Sequence, residues 1–589
     1  MAKAKKENSE NEVSLTPIDP SIPRPRLHKL VIKNFRAISN LPVEIELDEI
    51  VILVGPNNVG KSSILRAYEV VMKHGSKECQ LQIDDFPNGV VDADNLPEIE
   101  LQTIVYDKSS NAPAMRWLTQ FSDNEYLIRE RWVWTSPNAP PQRKGFDAEK
   151  NDWDVEVPWG APNVANSRRP LPHRIEAFTS PDAQAKEIAD LLINLLKGKL
   201  KIVKTEGDSQ SKSDYEILID NIANLQKNIV AAAKDEIEKI ETEISILLAK
   251  VFPNHLVKFD AKAETDVEKT YSPFKASPDL LMGPNDGFMS KVSQQGSGAR
   301  RTLLWTALKY LSDGQTSPTE NSRPNVLLLD EPEICLHPSA IREARSVLYD
   351  LPKNKNWQVM LTTHSPIFID LSKDNTTVIR VERNEKNSIT GTTLYRPTRS
   401  RMIEDDRANL KALNACDPYV NEFFFGGKII VVEGDTEYTS FSLIKDLFPE
   451  KYQNLQIIRA RGKGIIITLL KILNQFSTSY GVLHDADNPT CAKGVNPAWS
   501  MNESILKGIK YASDPSQIRH IACIKNFEEA IFDEQAKSDK PYNALLKIKD
   551  NITMQNKVSL LLDSLIDNNI SPPTGCVKYT SLEDLAKNL

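Results

Sequence analysis

The sequence predicts an α/β protein built from two successive strand–helix series, and three observations carry that expectation. A short apolar run, Ile50 to Val54, ends in a glycine and leads into a helix-forming stretch from Ser63 to Lys73. A second apolar run, Val326 to Leu329, ends in two acids, Asp330 and Glu331. A fresh alternation of strands and helices starts at Lys428. Strands buried on both faces read as continuous apolar runs, and strands alternating with helices are the pattern of a doubly wound parallel sheet.

Residues 1–26 are polar and then proline-rich (PIDPSIPRPR), which predicts a disordered arm or an extended strap. Order is expected to begin near Leu27, with one strand over His28 to Ala37 and another over Val43 to Leu47. The first α/β region is expected in two parts, 27–182 and 256–398. Its first part carries strands at 98–106 and 126–134, then irregular surface over 135–172, where Pro, Asn and Gly are frequent. Residues 183–255 should form a helical insertion. Ile188, Leu191, Leu192, Leu195 and Leu196, and later Ile229, Ile237, Ile240, Ile244 and Leu247, fall at helical spacing. Both a packed subdomain and a protruding dimerisation hairpin fit that pattern. A charged stretch (RPTRSRMIEDDR) marks a linker over 399–427. The second α/β region should span 428–545, with a helical tail over 546–589.

Composition bounds the function. The chain has 589 residues, of which 40% are hydrophobic and 26% charged, the balance of a globular protein. Acids outnumber bases by 80 to 73, for a net charge of −7, which excludes a histone-like binder but not a local basic groove. The six cysteines form no CxxC pair, so neither a zinc site nor a disulfide framework is expected. The opening MAKAKKENSENE has no apolar core, and no apolar run is long enough to span a bilayer. A cytoplasmic protein with no membrane partner is the expectation.

The first strand series carries nucleotide chemistry. Gly55-Pro56-Asn57-Asn58-Val59-Gly60-Lys61-Ser62 matches GxxxxGK[ST] between a strand and a helix. Gly55 and Gly60 let backbone N–H groups of the loop, with Asn58 and Ser63, cradle the phosphates of ATP. Lys61 should reach the β- and γ-phosphates and Ser62 should hold Mg²⁺. Asp330 is placed to complete the magnesium shell and Glu331 to polarise the attacking water. Ser293, Gly296 and Gly298 open a helix and offer a second phosphate-facing surface. His364, at the end of the strand Val359 to Thr363, is placed to sense the γ-phosphate.

These four pieces in this order resemble the ABC-type ATPase heads of recombination and chromosome-maintenance proteins. LLLDEPEICLHP (327–338), TTHSP (362–366) and LVIKNFRAI (30–38) are similar to the subgroup that includes the overcoming-lysogenisation-defect (OLD) nucleases. In an ABC-type head the signature loop faces the nucleotide of a second protomer, so the resemblance implies a homodimer or higher oligomer. About 70 helical residues are too few for a long coiled-coil arm.

The second series ends its strands in carboxylates. Lys428 to Val432 leads into Glu433, with Glu437 one helical turn on. A Gly-Lys-Gly turn, 462–464, follows the next strand. Tyr480 to Leu483 leads into His484-Asp485-Ala486-Asp487, and His520 to Ile524 leads into Asn526-Phe527-Glu528. The carboxyl ends of strands in an open sheet form the ligand crevice. Several acids meeting there need cations, and Mg²⁺ or Mn²⁺ with oxygen ligands would activate water on a phosphodiester.

This arrangement resembles a Toprim domain, in which Glu433 matches the first acid and Asp485 and Asp487 the DxD pair. The OLD version implies two metal sites, with Glu433 and Glu437 on one side, Asp487, Asn526 and Glu528 on the other, and Asp485 between. It also implies a late lysine near the scissile phosphate. Lys540-Pro541 fits its context, with Lys537 and Lys547 as rivals. DNA is expected to meet Lys463 and Lys540. The resemblance spans roughly residues 28–545. It implies an ATP-hydrolysing, metal-dependent DNA endonuclease in prokaryotic anti-phage defence, solitary or paired with a helicase-like partner or a retron reverse transcriptase carrying its RNA–DNA product. Two alternatives stand beside it. A Toprim topoisomerase would need a tyrosine on a DNA-gate domain, and a primase would usually bring a zinc module. A non-nucleolytic ATPase sensor would keep the fold without the chemistry.

Overall fold

The computed structural model describes residues 25–106, 112–167, 169–176, 180–186, 188–189, 234–250, 255–260, 279–313, 325–353, 357–384, 386–400, 402–417, 420–476, 479–492, 494–534 and 538–589. The chain divides into two compact units. One comprises Met1–Leu47, Arg66–His173 and Gly314–Val326; the other comprises Asp48–Leu65, Arg174–Asp313 and Leu327–Leu589.

The first unit is built on an antiparallel sheet. Its strand order is Val43–Glu46, Arg26–Lys33, Glu98–Tyr106, Glu125–Val133, Gln142–Asp147 and Asp152–Asp154, with Thr119–Ser122 also paired to Glu125–Val133. Alternation sets which side is buried: Leu30 and Ile32 point into the core, as do Val43 and Ile45 opposite. Residues 135–172 are more ordered than their composition suggests. Arg143, on the Gln142–Asp147 strand, and Arg169 both close on the fully buried carboxylate of Glu130. That three-residue ion cluster ties a Pro- and Gly-rich stretch to the sheet, where hydrophobic patterning gives no sign of it. Of the expected N-terminal arm, residues 1–24 lie outside the described residues, and the first strand begins at Arg26.

The second unit contains the nucleotide strands. Their sheet runs in the order Ile389–Tyr395, Thr376–Arg383, Ile50–Val54, Trp357–Thr362, Asn325–Asp330 and Leu171–Ile175. Ile50–Val54 lies parallel to both of its neighbours, and all five of its residues are buried. A strand enclosed on both faces needs an apolar residue at every position, which is what Ile-Val-Ile-Leu-Val supplies. Within the expected helical insertion, Lys234–Ala249 forms a helix that buries Ile240, Ile244 and Leu248. Residues 190–233 of that insertion lie outside the described residues.

The same unit holds a second sheet, ordered Leu455–Arg459, Lys428–Val432, Tyr480–Asp485, Arg519–Cys523 and Cys576–Val577. The first four strands are parallel and the fifth is antiparallel. One expectation needs correction here: the linker over 399–427 is a packed element. Glu404–Cys416 is a helix burying Leu410 and Leu413, and Phe423 and Phe424 are buried after it. Its charged residues gave the opposite impression, yet Asp406 is engaged by Lys471 and by Thr468 Oγ1 at 3.0 Å. The core is therefore continuous from Ile50 and Leu361 through these residues to Ile429 and Val431. The tail over 546–589 is also part of the second sheet. The helix Ile552–Ile566 buries Val558, Leu561, Leu562 and Leu565, and Cys576–Val577 adds the edge strand. Among the described residues, no helix is long and apolar enough to cross a membrane.

Candidate functional sites

The loop after Ile50–Val54 takes its shape from its glycines. Gly55 has φ +137°, and a Cβ there would stand 2.0 Å from Val381 O. Gly60 and Asn58 also have positive φ, at +87° and +59°. The loop thus folds over Lys61, whose Nζ donates to Gly55 O at 3.0 Å and to Pro56 O at 2.7 Å. Burial lowers the Lys61 pKa, while Glu331, Asp330 and Glu333 pull against that shift. Ser62 and Ser63 lie on the first turn of the helix Lys61–Met72.

Asp330 is the hub of this site. Its Oδ1 accepts from Ser62 Oγ at 3.0 Å and from Thr362 Oγ1 at 2.6 Å. Glu331 sits at φ +46°, an uncommon conformation for a non-glycine residue, held by its N–H to Thr362 O at 3.1 Å. Its Oε1 lies 3.4 Å from His364 Nε2. The His364 N–H in turn donates to Glu333 Oε1 at 2.6 Å. Burial, reinforced by the Lys61 charge, lowers the His364 pKa against the pull of Glu331 and Asp330. Gly55, Asn58, Gly60, Lys61, Ser62, Asp330, Glu331 and His364 are therefore assembled at adjacent strand ends. Ser293 lies in a short 3₁₀ turn, and Gly296 precedes the helix Ser297–Asp313. Gln295 braces this loop through Met282 O and Ser290 Oγ, at 2.9 and 2.6 Å. A Cβ on Gly298 would meet Cys335 O at 2.9 Å.

The carboxylates of the second sheet form a mutually repelling group. Glu433 Oε2 accepts from the Asp485 N–H at 3.0 Å. Burial raises Glu433, and Lys463 opposes the shift. Burial, with the charges of Glu433 and Glu528, raises Glu437 to about 7. Asp485 is pushed well above the usual carboxylate range by burial and by Glu437, Glu433, Asp487 and Glu528. Asp485 Oδ1 is buried and has no hydrogen-bond partner among the described residues.

Two lysines close on this group. Lys463 Nζ pairs with Asp487 Oδ2, and Lys540 Nζ lies 3.2 Å from Glu528 Oε2. Thr436 Oγ1 donates to Glu528 Oε1 at 3.0 Å. Among the described residues, no three acids, histidines or cysteines already form a metal cage. The donor set still suits a hard divalent cation: it is all carboxylate, the neighbouring charges push Glu437 and Asp485 up, and one buried oxygen is unpartnered.

One expectation changes at this site, that Lys463 meets DNA. Asn526 caps the helix Phe527–Phe532: its Oδ1 accepts from the Glu529 N–H and its Nδ2 donates to Glu529 Oε1, both at 2.9 Å. The cap uses one lone pair of this oxygen, and an amide oxygen has two. Lys463 does not face solvent, since only 2% of its side chain is exposed. Among the rival late lysines, Lys540 reaches the acids, Lys547 pairs instead with Glu534, and Lys537 lies outside the described residues.

Comparison with known proteins follows this division. Residues 26–369 match a family described as AAA ATPase domain. Residues 424–487 match one described as overcoming lysogenization defect protein-like, TOPRIM domain. The chain is 24% identical over 483 residues to the Old nuclease of Escherichia phage P2, covering 78% of this chain and 77% of that protein. It is 21% identical over 481 residues to the OLD nuclease of Thermus scotoductus (strain ATCC 700910 / SA-01), covering 78% and 82%. The chain belongs, over residues 26–369, to the AAA ATPase domain family, and it is similar to OLD nucleases over most of its length.

Solved structures resembling this chain include an Smc head bound to the C-winged-helix domain of ScpA. That head is 14% identical and covers 62% of this chain and 97% of its own, with a TM-score of 0.37. An Smc head with a coiled coil and joint from Pyrococcus yayanosii is 13% identical, covering 66% and 99%, with a TM-score of 0.36.

The OLD-family Toprim match ends at Asp487, but the fold around the acids does not. His484 is fully buried, with Nε2 2.8 Å from His520 Nε2 and 3.0 Å from the Tyr579 hydroxyl. Tyr579 thus brings the chain's last segment behind the DxD strand. His484 could have been noticed beside Asp485, whereas nothing in sequence marks Tyr579. Glu333 was passed over as well, although it stands two residues beyond Glu331 in the same phrase.

Proposed function

We propose that this chain is an ATP-hydrolysing, divalent-metal-dependent DNA endonuclease of prokaryotic anti-phage defence. One observation carries the reading: Glu433, Glu437, Asp485, Asp487 and Glu528 gather at the carboxyl ends of parallel strands, with Lys540 at their open edge. Divalent ions bound there would activate water and stabilise the leaving oxygen of a phosphodiester. Glu433, Glu437, Asp485 and Asp487 would hold the ions, with Glu528 beside them. Lys540, half-exposed, would meet the DNA phosphate. At the other site Lys61 and the loop amides would bind the ATP phosphates, Ser62 and Asp330 would orient Mg²⁺, and Glu331 would polarise water under the control of His364. Ser293, Gly296 and Gly298 would complete the nucleotide site of a second copy, making the working form a homodimer or larger.

Plasmid nicking in Mg²⁺ or Mn²⁺ tests this reading. Wild type should convert supercoiled DNA, and EDTA or Asp485→Ala should stop it. Equal nicking by Asp485→Ala and wild type would remove the acids from catalysis.

A further inference from the structure

Lys463 is the first residue of the helix Lys463–Leu473, whose Ile466, Leu469, Leu470 and Leu473 are buried in the continuous core. The preceding Gly462 has φ +128°, and the turn it permits sends the lysine inward. The side chain is 2% exposed, and its Nζ reaches two acceptors: Asp487 Oδ2 and Ala498 O, the latter at 3.1 Å. Asp487 itself remains 32% exposed. The ammonium therefore approaches this carboxylate from beneath and leaves its other face open. Lys540 differs: 49% of its side chain is exposed, so it meets Glu528 from the solvent side. An ammonium is a compact, strongly hydrated charge, and burying it is costly unless acceptors such as a carboxylate compensate it. Lys463 acts beyond Asp487 as well, since its charge opposes the upward shift of Glu433.

We propose that Lys463 is an internal counter-cation that occupies Asp487 when no divalent ion is bound there, so that lysine and metal compete for this carboxylate and Lys463 sets the metal affinity. The inference rests on the metal-dependent nuclease reading. Lys463 is a positioning residue that acts through Asp487. It neutralises the acids in the metal-free protein, and it weakens metal binding in two ways: it holds one ligand, and it adds positive charge beside the site. A lysine that only secured the fold would leave metal affinity unchanged.

The test is calorimetric titration of nucleotide-free protein with Mn²⁺, comparing wild type, Lys463→Met, Lys463→Arg and Asp485→Ala. Melting temperatures are read in EDTA and in Mn²⁺. Lys463→Met should bind Mn²⁺ about tenfold more tightly, the scale on which groups behind metal ligands commonly act. It should melt lower than wild type in EDTA and gain more on adding Mn²⁺. Lys463→Arg, which keeps the charge, should bind as wild type does. If Lys463→Met does not fold, Lys463→Gln carries the same test, because its amide can still donate to Ala498 O. Unchanged or weaker Mn²⁺ binding by a folded, neutral variant, with wild type binding normally, would overturn the counter-cation role alone. A wild-type isotherm no different from that of Asp485→Ala would overturn the metal-site reading, and this inference with it.

Discussion

Ser62 Oγ donates to Asp330 Oδ1 at 3.0 Å, joining residues 268 positions apart in the chain. This single bond aligns the end of the phosphate loop with the end of the acidic strand. It places a hydroxyl and a carboxylate where one magnesium ion could take both.

The two sides of that bond predict different losses. Lys61→Ala should weaken ATP binding, because a phosphate contact disappears. Glu331→Gln should keep ATP binding and slow hydrolysis by about a hundredfold or more, the usual scale of a lost general base. Filter binding and phosphate release separate the two. Hydrolysis by Glu331→Gln at the wild-type rate would take Glu331 out of the chemistry.

The contribution of Glu437 to the stability of the metal-free protein should fall as pH rises through its raised pKa. Its pKa is raised from 4.5 in the unfolded chain to about 7 in the fold. Between those values the folded state holds a proton that the unfolded state has lost, so raising the pH favours unfolding. The effect reaches its full size above the folded pKa, on the order of 3 kcal/mol. Buried His74, His484 and His520, whose pKa values are lowered, shift stability the other way, so the Glu437 contribution is read as a difference between variants. Between pH 5.5 and pH 8 in EDTA, urea unfolding of Glu437→Gln should change by about 2 kcal/mol less in the unfavourable direction than wild type. The same pH dependence in Glu437→Gln as in wild type would contradict the burial of this acid.

Assembly and DNA binding give a third expectation. Sedimentation at micromolar concentration with ATP should show a dimer or larger species, and DNA affinity should drop from low to moderate salt because the contacts are to phosphates. Lys540→Ala should weaken that affinity more than Lys547→Ala, since only Lys540 lies against the acids. A strict monomer, or binding indifferent to salt, would count against these contacts.

The sequence made the strand ends legible because they combine two strong signals: wholly apolar runs, and charged or glycine residues directly after them. Gly55, Asp330, Glu433 and Asp485 were readable in this way, and Lys61 through the spacing of its loop. What escaped was tertiary. Asp406 looked like part of a solvated charge run, yet it is covered by Lys471 and Thr468. The tail looked merely helical because the edge strand Cys576–Val577 is two residues long, too short for any period. That Asn526 caps a helix was not legible either, because spacing does not show which backbone N–H an amide oxygen faces. Lys463 looked like a surface base because neither burial nor the direction of a glycine-flanked side chain is written in local sequence.

In the proposed function the carboxylate site cuts DNA while a separate site turns over ATP. Glu433→Ala separates the two, with plasmid nicking and ATP hydrolysis measured on the same preparation in Mg²⁺ or Mn²⁺. Nicking should be abolished and most ATP turnover should remain. Nicking at the wild-type rate would contradict the nuclease assignment, and loss of ATP hydrolysis in a folded variant would contradict the independence of the two sites.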